Sequence, residues 1–255
     1  MQVYSILNVL TARPSAADLE RAPHELYGHV HPSSPYSTGA WLRDVARIVA
    51  AGRLRGRRPV FVGGTGLYFR ALTEGLSEMP DIPEAIRANW RERLKAEGAA
   101  QLHALLAERD AQAAMTIKPT DGQRIVRALE VLDASGRSIR DWQERRARPL
   151  VDLAAAKAIL VEPSRSILRE RIDARFSKMI EAGALAEVEA LLALGLDPAM
   201  PAMRAIGVRE LAGVIEGRMT LDEAREAVVL ATGQYAKRQS TWFRNQLGAG
   251  WRQTT

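Results

Sequence analysis

One short stretch, PVFVGGTGLYF at residues 59–69, constrains the fold of this chain more than any other. Residues 60–62 (Val-Phe-Val) form a β-forming run, and residues 63–66 (Gly-Gly-Thr-Gly) follow it as a tight turn, here called the glycine loop. Apolar residues then return at helical spacing, so the stretch predicts a strand, a loop and a helix. Glycines in such a loop remove the Cβ atoms that would keep an anionic ligand from the backbone N–H groups.

The glycine loop does not have the sequence of a nucleotide-binding phosphate loop. That motif reads G-x-x-x-x-G-K-[ST], and no such string occurs in the 255 residues. The loop by itself therefore favours a tight turn between a strand and a helix of a parallel sheet.

Composition narrows the class of protein. A hydrophobic content of 47% in 255 residues is enough for one large or two small packed domains. A net charge of +6 leans toward a polyanionic partner without requiring one. The absence of cysteine excludes disulfides and thiolate metal sites. The chain has neither a run of 18 apolar residues nor the pattern of a signal peptide, so we expect a cytoplasmic protein that does not span a membrane.

The histidines do not predict a metal site. Three of the four, His24, His29 and His31, lie in one proline-rich region. A metal site there is conceivable, but no carboxylate lies at ligand spacing on a regular element, which favours a solvated loop.

The pattern along the chain predicts two parts. Residues 1–78 and 141–255 indicate an α/β core with a helical C-terminal region, which includes a returning strand at residues 158–161. Residues 79–140 are charged and helical, and Pro80 and Pro83 mark the beginning of this insertion. Within it, Thr120 or Asp121 caps a helix that ends at Gly136.

The last long helix has an aromatic face beside a basic one. Tyr235, Gln239 and Trp242 lie at i, i+4 and i+7, and a polar and basic strip runs next to them: Lys237, Thr241 and Arg244. An RNA-binding helix has this pattern, because cations meet phosphates and rings stack on bases. A helix with its rings in the core and its cations in water has it too, and composition does not separate the two.

Two further arginine pairs have both a functional and a structural interpretation. Arg204 and Arg209 flank a glycine between two helical stretches, where their planar guanidinium groups match phosphate oxygens. Arg171 and Arg175 lie one helical turn apart and would face a diphosphate. Exposed arginines on a helix surface are the alternative for both pairs.

Seven strings taken in order resemble the tRNA dimethylallyltransferases over nearly the whole chain. They are MQVY from Met1, TARP from Thr11, PHEL from Pro23, VGGTGLY from Val62, QRIVRALEV from Gln123, MRAIGVRE from Met203 and QYAKRQSTWFR from Gln234. The resemblance implies an α/β fold with a parallel sheet core like that of the P-loop NTPases, incomplete at the N-terminus, and with an inserted helical domain that binds tRNA.

The resemblance also implies a reaction. A dimethylallyl group moves from its diphosphate to N6 of adenosine 37, beside the tRNA anticodon, with Mg²⁺ as the cofactor. The partners are then the anticodon stem-loop and dimethylallyl diphosphate, and we expect a monomer. In this family the glycine loop lines the channel in which adenine and the allyl donor meet, which assigns Thr65 a catalytic, substrate-contacting role.

Other site residues are implied by matching segments of the family. The expected tRNA contacts are Gln2, Thr65, Arg87, Gln123, Arg124, Arg127, Arg204, Arg209, Lys237, Arg238 and Arg244. Extrusion of adenosine 37 into the channel is the geometry expected for chemistry on a base.

The family's phosphate loop, of the form GPTASGKS, and the aspartate that serves as its general base precede the segment that begins at Met1. We therefore expect an N-terminally truncated member with little or no transferase activity of its own. The alternatives are a non-catalytic RNA-binding remnant of the family, an isopentenyltransferase acting on free adenine nucleotides, and, on fold analogy alone, a P-loop kinase.

Overall fold

A computed structural model of the chain describes residues 1–144, 147–248 and 250–254. It divides into two compact units, one formed by residues 1–69 with 152–255 and the other by residues 70–151. The helices, in chain order, are α1 (Ala16–Arg21), α2 (Thr38–Ala50), α3 (Gly66–Glu74), α4 (Glu84–Glu97), α5 (Ala99–Arg109), α6 (Ala111–Thr116), α7 (Gly122–Ser135), α8 (Ile139–Gln143), α9 (Arg165–Glu181), α10 (Ala184–Leu192), α11 (Val208–Ile215) and α12 (Leu221–Gln246). The strands are β1 (Ala158–Val161) and β2 (Trp251–Thr254).

The two strands form a small parallel sheet. Ala158 lies opposite Trp251 and Val161 opposite Thr254. The predicted strand at residues 158–161 is confirmed. A mixed helical protein with a small parallel sheet agrees with the α/β prediction at this coarse level.

The predicted strand at residues 60–62 is wrong. Val60 and Val62 are 79% and 76% exposed, and residues 58–63 join no ladder in the part of the chain that the structure describes. A strand exists through hydrogen bonds to a neighbouring strand, and β-forming side chains do not supply that partner.

The unit of residues 1–69 and 152–255 has a core in which the N-terminal segment packs on the later helices. Tyr4 and Leu7 lie in one cluster with Val188 of α10 and Leu211 of α11. The Glu187 carboxylate at the start of α10 accepts hydrogen bonds from three successive backbone N–H groups, those of residues 8–10, at 2.6–3.0 Å. Because one charged group satisfies three donors, it fixes the N-terminal loop to this unit.

The unit of residues 70–151 has a core of its own, to which α4, α5 and α7 contribute Trp90, Leu102, Leu106, Ile125 and Leu129, all at most 2% exposed. Local signals set the bounds of α7. The Asp121 carboxylate accepts from the N–H of Arg124 at 3.2 Å, and Gly136 ends the helix at φ 67°. The predicted insertion, residues 79–140, lies within this unit, and its exact bounds stay a prediction.

None of the helices in the described residues has the length and apolar character needed to cross a membrane.

Candidate functional site

The glycine loop lies directly against α12. The Gln239 side-chain amide donates a hydrogen bond from Nε2 to the Gly64 carbonyl oxygen at 2.7 Å. A Cβ on Gly66 would overlap the six-membered ring of Trp242, and one on Gly64 would overlap the Gln239 amide. These two glycines are therefore required by the close approach of helix side chains, whereas the sequence favoured a tight turn, with the approach of an anionic ligand as the functional interpretation.

Thr65 is exposed, and it is the residue of this loop that has a side chain. Its carbonyl oxygen accepts the N–H of Tyr68 at 2.9 Å in the first turn of α3. Within the described ranges, its hydroxyl makes no hydrogen bond to protein. The group is thus placed to meet a substrate, and its predicted catalytic role stays a prediction.

Three aromatic side chains, which the sequence analysis did not assign to the site, lie together near the glycine loop. Phe61 precedes the loop in sequence, Tyr68 follows it, and Trp41 comes from α2. The Trp41 ring of α2 stacks on Tyr68 with centroids 4.5 Å apart, and Phe61 meets Trp41 edge-on at 6.4 Å. All three rings are only partly buried. Phe61 and Tyr68 are close to the glycines in sequence, but no pattern in the sequence predicts that Trp41 contacts them.

Three cations in the C-terminal half of α12 lie on its exposed surface. Lys237, Arg238 and Arg244 are exposed, and in the described part of the chain none of them pairs with a carboxylate. Arg238 lies 5.9 Å from the ring of Tyr235, which is itself 39% exposed. The core alternative therefore does not hold for Tyr235, while Gln239 and Trp242 turn inward to the glycine loop.

Arg204 and Arg209 lie at the surface on either side of a buried turn. Arg204 ends the short 3₁₀ turn Ala202–Arg204, and Arg209 is the second residue of α11. Between them Gly207 adopts φ 100° and its N–H donates to Glu210 at 3.1 Å. The predicted placement of two cations around this glycine agrees with the structure; their predicted binding of tRNA stays a prediction.

Gln2 already has protein partners. Its Nε2 donates to the carbonyl oxygens of Thr11 and Ala12 at 3.1 and 3.0 Å. The amide oxygen is the part of this side chain that remains for an RNA contact, which stays a prediction.

The expected tRNA contacts of the unit formed by residues 70–151 lie on α4 and α7. Gln123 and Arg124 are exposed, and Arg124 pairs with Asp121 at 3.2 Å. Arg127 reaches Glu130 at 3.4 Å. Arg87 is half-buried, and its Nε is buried without a hydrogen-bond partner in the described residues.

An open surface cavity of about 360 Å³, with apolar as well as cationic lining, lies between the N-terminal loop and α9. Arg13, Arg175 and Lys178 line it, together with Asn8 and Ser15. The Arg175 guanidinium donates to the Leu10 carbonyl oxygen at 3.3 Å, and no carboxylate pairs with any of the three cations among the described residues. The structure thus groups Arg175 with Arg13 and Lys178, and Arg171 is not part of this cavity. Arg13 belongs to the TARP string, the signal that would have pointed to it.

A hydrogen-bonded cluster surrounds Asp44 of α2. Its carboxylate accepts from the Tyr36 hydroxyl at 2.6 Å and from Arg47 at 2.9 Å, and His29 lies 3.4 Å away. The Tyr36 hydrogen bond, more than His29 and Arg47, lowers the pKa of Asp44 below its ordinary value of 3.8. Burial, and then the bond to Asp44, raises the pKa of Tyr36 far above its ordinary value.

The other two histidines of this region have separate local partners. His24 Nδ1 lies 2.8 Å from the Ala22 carbonyl oxygen, and His31 Nδ1 lies 2.6 Å from the Ser33 hydroxyl. In residues 1–144, 147–248 and 250–254, no group of three or more His, Asp or Glu side chains is arranged to hold a metal ion.

Comparison with known proteins settles the family. The model of the IPP transferase family matches residues 2–246. The chain belongs to this family. The resemblance that the seven strings indicate is therefore confirmed, and the match includes both the glycine loop and α12.

Curated members of the IPP transferase family are similar over almost the whole chain. The tRNA dimethylallyltransferase of Mesorhizobium japonicum is 62% identical over 251 residues, which are 98% of this chain and 78% of that protein. The tRNA dimethylallyltransferase of a Chelativorans species is 58% identical over 98% of this chain and 86% of that protein.

Solved structures of the family give the same result. The tRNA isopentenylpyrophosphate transferase of Bacillus halodurans is 29% identical, with a TM-score of 0.65 over 99% of this chain and 78% of that chain. A eukaryotic dimethylallyltransferase acting on tRNA has a TM-score of 0.77 over 95% of this chain and 61% of that chain. At 23% identity, that likeness concerns the fold alone.

Proposed function

We propose that this chain belongs to a tRNA prenyltransferase that moves a dimethylallyl group from its diphosphate to N6 of adenosine 37 in tRNA. The single observation that carries this proposal is the 62% identity to a tRNA dimethylallyltransferase over 98% of the chain. The arrangement of the exposed Thr65 on a loop held by a helix with three unpaired cations supports it.

The chemistry requires groups of two kinds. Breaking an allylic C–O bond leaves positive charge on carbon and concentrates negative charge on the diphosphate, so fixed cations are needed near the leaving group. Arg13, Arg175 and Lys178 provide a candidate anion site in one cavity, which keeps Arg175 in the proposal and leaves Arg171 outside it. At the acceptor, the Thr65 hydroxyl is available for a hydrogen bond to the nucleoside.

RNA binding is proposed for polar and cationic side chains of both units, each unit considered separately. In one unit these are Arg204, Arg209, Lys237, Arg238 and Arg244, which are exposed. In the other they are the exposed Gln123 and Arg124 and the half-buried Arg87 and Arg127. Contacts of such side chains with phosphates position an RNA without reading its sequence, so the adenosine itself must be read by the loop region.

The proposal also includes four properties: Mg²⁺ as the cofactor, a sheet core of the P-loop NTPase type, a monomeric state and a cytoplasmic location. Mg²⁺ in phosphate-transferring sites is held by the phosphates, by waters and by one or two protein oxygens. The described residues do not by themselves form a carboxylate site for it, and we assign no step to it. Analytical ultracentrifugation tests the monomer.

Binding of an anticodon hairpin tests the RNA part of the proposal. We expect the chain to prefer a hairpin with adenosine at position 37 over one with cytidine there. Arg209→Gln and Arg244→Gln should each weaken binding and reduce the salt slope by about 0.7–0.9 per lost phosphate contact. Arg165→Gln, an exposed cation outside the proposed contacts, serves as the control and should leave both quantities unchanged.

A transfer assay with dimethylallyl diphosphate tests the activity of this chain. Incorporation of the allyl group into the hairpin supports the enzyme and contradicts the expectation of little or no transferase activity. Hairpin binding without incorporation agrees with that expectation and with the RNA-binding remnant alike, and equal binding of both hairpins contradicts recognition of adenosine 37.

A further inference from the structure

Helix α12 restrains the glycine loop through two side chains. Gln239 bonds to the Gly64 carbonyl oxygen, and the Trp242 ring occupies the space that a side chain at residue 66 would need. Gln239 lies 175 residues from Gly64 in sequence, and Trp242 follows Gln239 on the same face of the helix.

The loop has little to hold it otherwise. Glycine reaches more backbone conformations than any other residue, and three of the four loop residues are glycine. In the described part of the chain, the N–H groups of residues 63–65 donate no hydrogen bond, and Thr65 makes no side-chain hydrogen bond. Apart from the bond of the Tyr68 N–H to the Thr65 carbonyl oxygen, the Gln239 bond and the Trp242 ring are the restraints that the described residues place on this segment.

The same helix has exposed cations beside these two residues. Lys237 and Arg238 precede Gln239 by two residues and by one, and Arg244 follows Trp242 by two.

We propose that Gln239 and Trp242 are positioning residues, which hold the glycine loop so that Thr65 faces the adenosine in a single orientation. This inference rests on the proposed function. In it, Gln239 and Trp242 affect the RNA only by holding the glycine loop, and they do not contact the RNA themselves. The pair would set how well adenosine 37 is captured once the hairpin is bound, and not how tightly the hairpin binds.

NMR relaxation of the 255-residue chain tests the restraint without any ligand. Gln239→Met keeps the length of the side chain and removes the N–H donor, so we expect the backbone order parameters of residues 63–66 to fall from about 0.85 toward about 0.6. Gln234→Met, on an exposed position of the same helix, is the matched control and should leave these order parameters unchanged. Gln239→Lys restores a donor and should raise them again. Unchanged order parameters in Gln239→Met overturn the proposal.

Capture of the base tests the consequence for function. With 2-aminopurine at position 37 of the hairpin, binding to the unsubstituted chain should change the fluorescence as the base leaves its stack. Gln239→Met should bind the hairpin with an affinity within about twofold of the unsubstituted chain and lose most of that change. Loss of affinity with an unchanged signal per bound hairpin would instead make Gln239 an RNA contact and overturn its positioning role.

A pair of substitutions tests the Trp242 contact. Gly66→Ala alone should displace the loop and lower its backbone order parameters, because the methyl group and the indole ring compete for one space. In a Trp242→Leu background the same substitution should change little, so the two effects are non-additive. Additive effects contradict a direct contact. If the unsubstituted chain binds no hairpin, the proposed function fails, while both relaxation experiments still decide whether α12 holds the loop.

Discussion

At the scale of single residues, Asp44 shows how a hydrogen bond lowers the pKa of a carboxyl group. The Tyr36 hydroxyl donates to the Asp44 carboxylate and stabilises its charged form, with smaller contributions from His29 and Arg47. Because the pKa of Asp44 is lower in the folded than in the unfolded chain, its contribution to stability is present above pH about 4. It is lost as the pH falls through the folded value.

Removing the Tyr36 hydroxyl should therefore change the acid end of the stability curve. Tyr36→Phe should raise the pKa of Asp44 toward its ordinary value of 3.8, so the substituted chain gains less stability between acid and neutral pH than the parent. The carboxyl carbon of Asp44, followed by NMR against pH, gives the value directly. Tyr27→Phe is the control, and an unshifted Asp44 in Tyr36→Phe would show that the hydroxyl does not set this pKa.

Residues differ in how far the sequence predicts their roles. The spacing of Tyr235, Gln239 and Trp242 predicts a shared helix face, and Gln239 and Trp242 do meet one loop. That the loop would be the glycine loop does not follow from spacing, because a contact across 175 residues is a property of the tertiary fold. For the same reason Arg175 could be placed on α9 but not beside Arg13.

At the scale of elements, local signals predict helices better than strands. The bounds of α7 follow from a capping carboxylate at one end and a left-handed glycine at the other, both readable in the sequence. Residues 60–62 have equally clear β-forming side chains, yet they form no strand. A helix satisfies its hydrogen bonds within one segment, whereas a strand depends on a second segment.

Two glycines with left-handed backbone conformations, each just after a helix, allow the cost of a side chain at such a position to be compared. Gly75, just after α3, has φ 78° and Gly136, just after α7, has φ 67°. An alanine at residue 136 meets open space, so we expect a loss of about 1 kcal/mol from the backbone conformation alone. At residue 75 the methyl group would also overlap the Ala147 carbonyl oxygen, which adds about 1–3 kcal/mol.

Urea denaturation of the two variants measures this difference. A larger loss for Gly75→Ala than for Gly136→Ala is the expected order. Equal losses would mean that the segment around Ala147 moves away freely and does not constrain the turn.

At the scale of the whole molecule, each compact unit has a separate hydrophobic core. The cluster around Trp90, Leu106 and Leu129 contains residues of the 70–151 unit, and the cluster around Tyr4, Leu191 and Leu211 contains residues of the other unit. The sequence indicated a helical insertion from its change in charge and its prolines. The bounds of the unit itself depend on which helices share a core, which composition does not specify.

We expect the segment of residues 70–151 to fold when it is produced alone. Its core is closed by its own helices, so far-UV circular dichroism should show helix and a cooperative thermal transition. Leu129→Ala in this fragment should lower the free energy of unfolding by about 2–5 kcal/mol, because it opens a cavity beside Trp90 and Leu106. A fragment with helical signal but no transition would show that its packing depends on the remainder of the chain.

The bond between α12 and the glycine loop has a genetic consequence. Its acceptor is the Gly64 carbonyl oxygen, a group that every amino acid supplies, whereas its donor is a side chain specified by one codon. Any side chain at residue 64 would nevertheless overlap the Gln239 amide, so inherited variation can break the bond at either position, by loss of the donor at 239 or by loss of the space at 64.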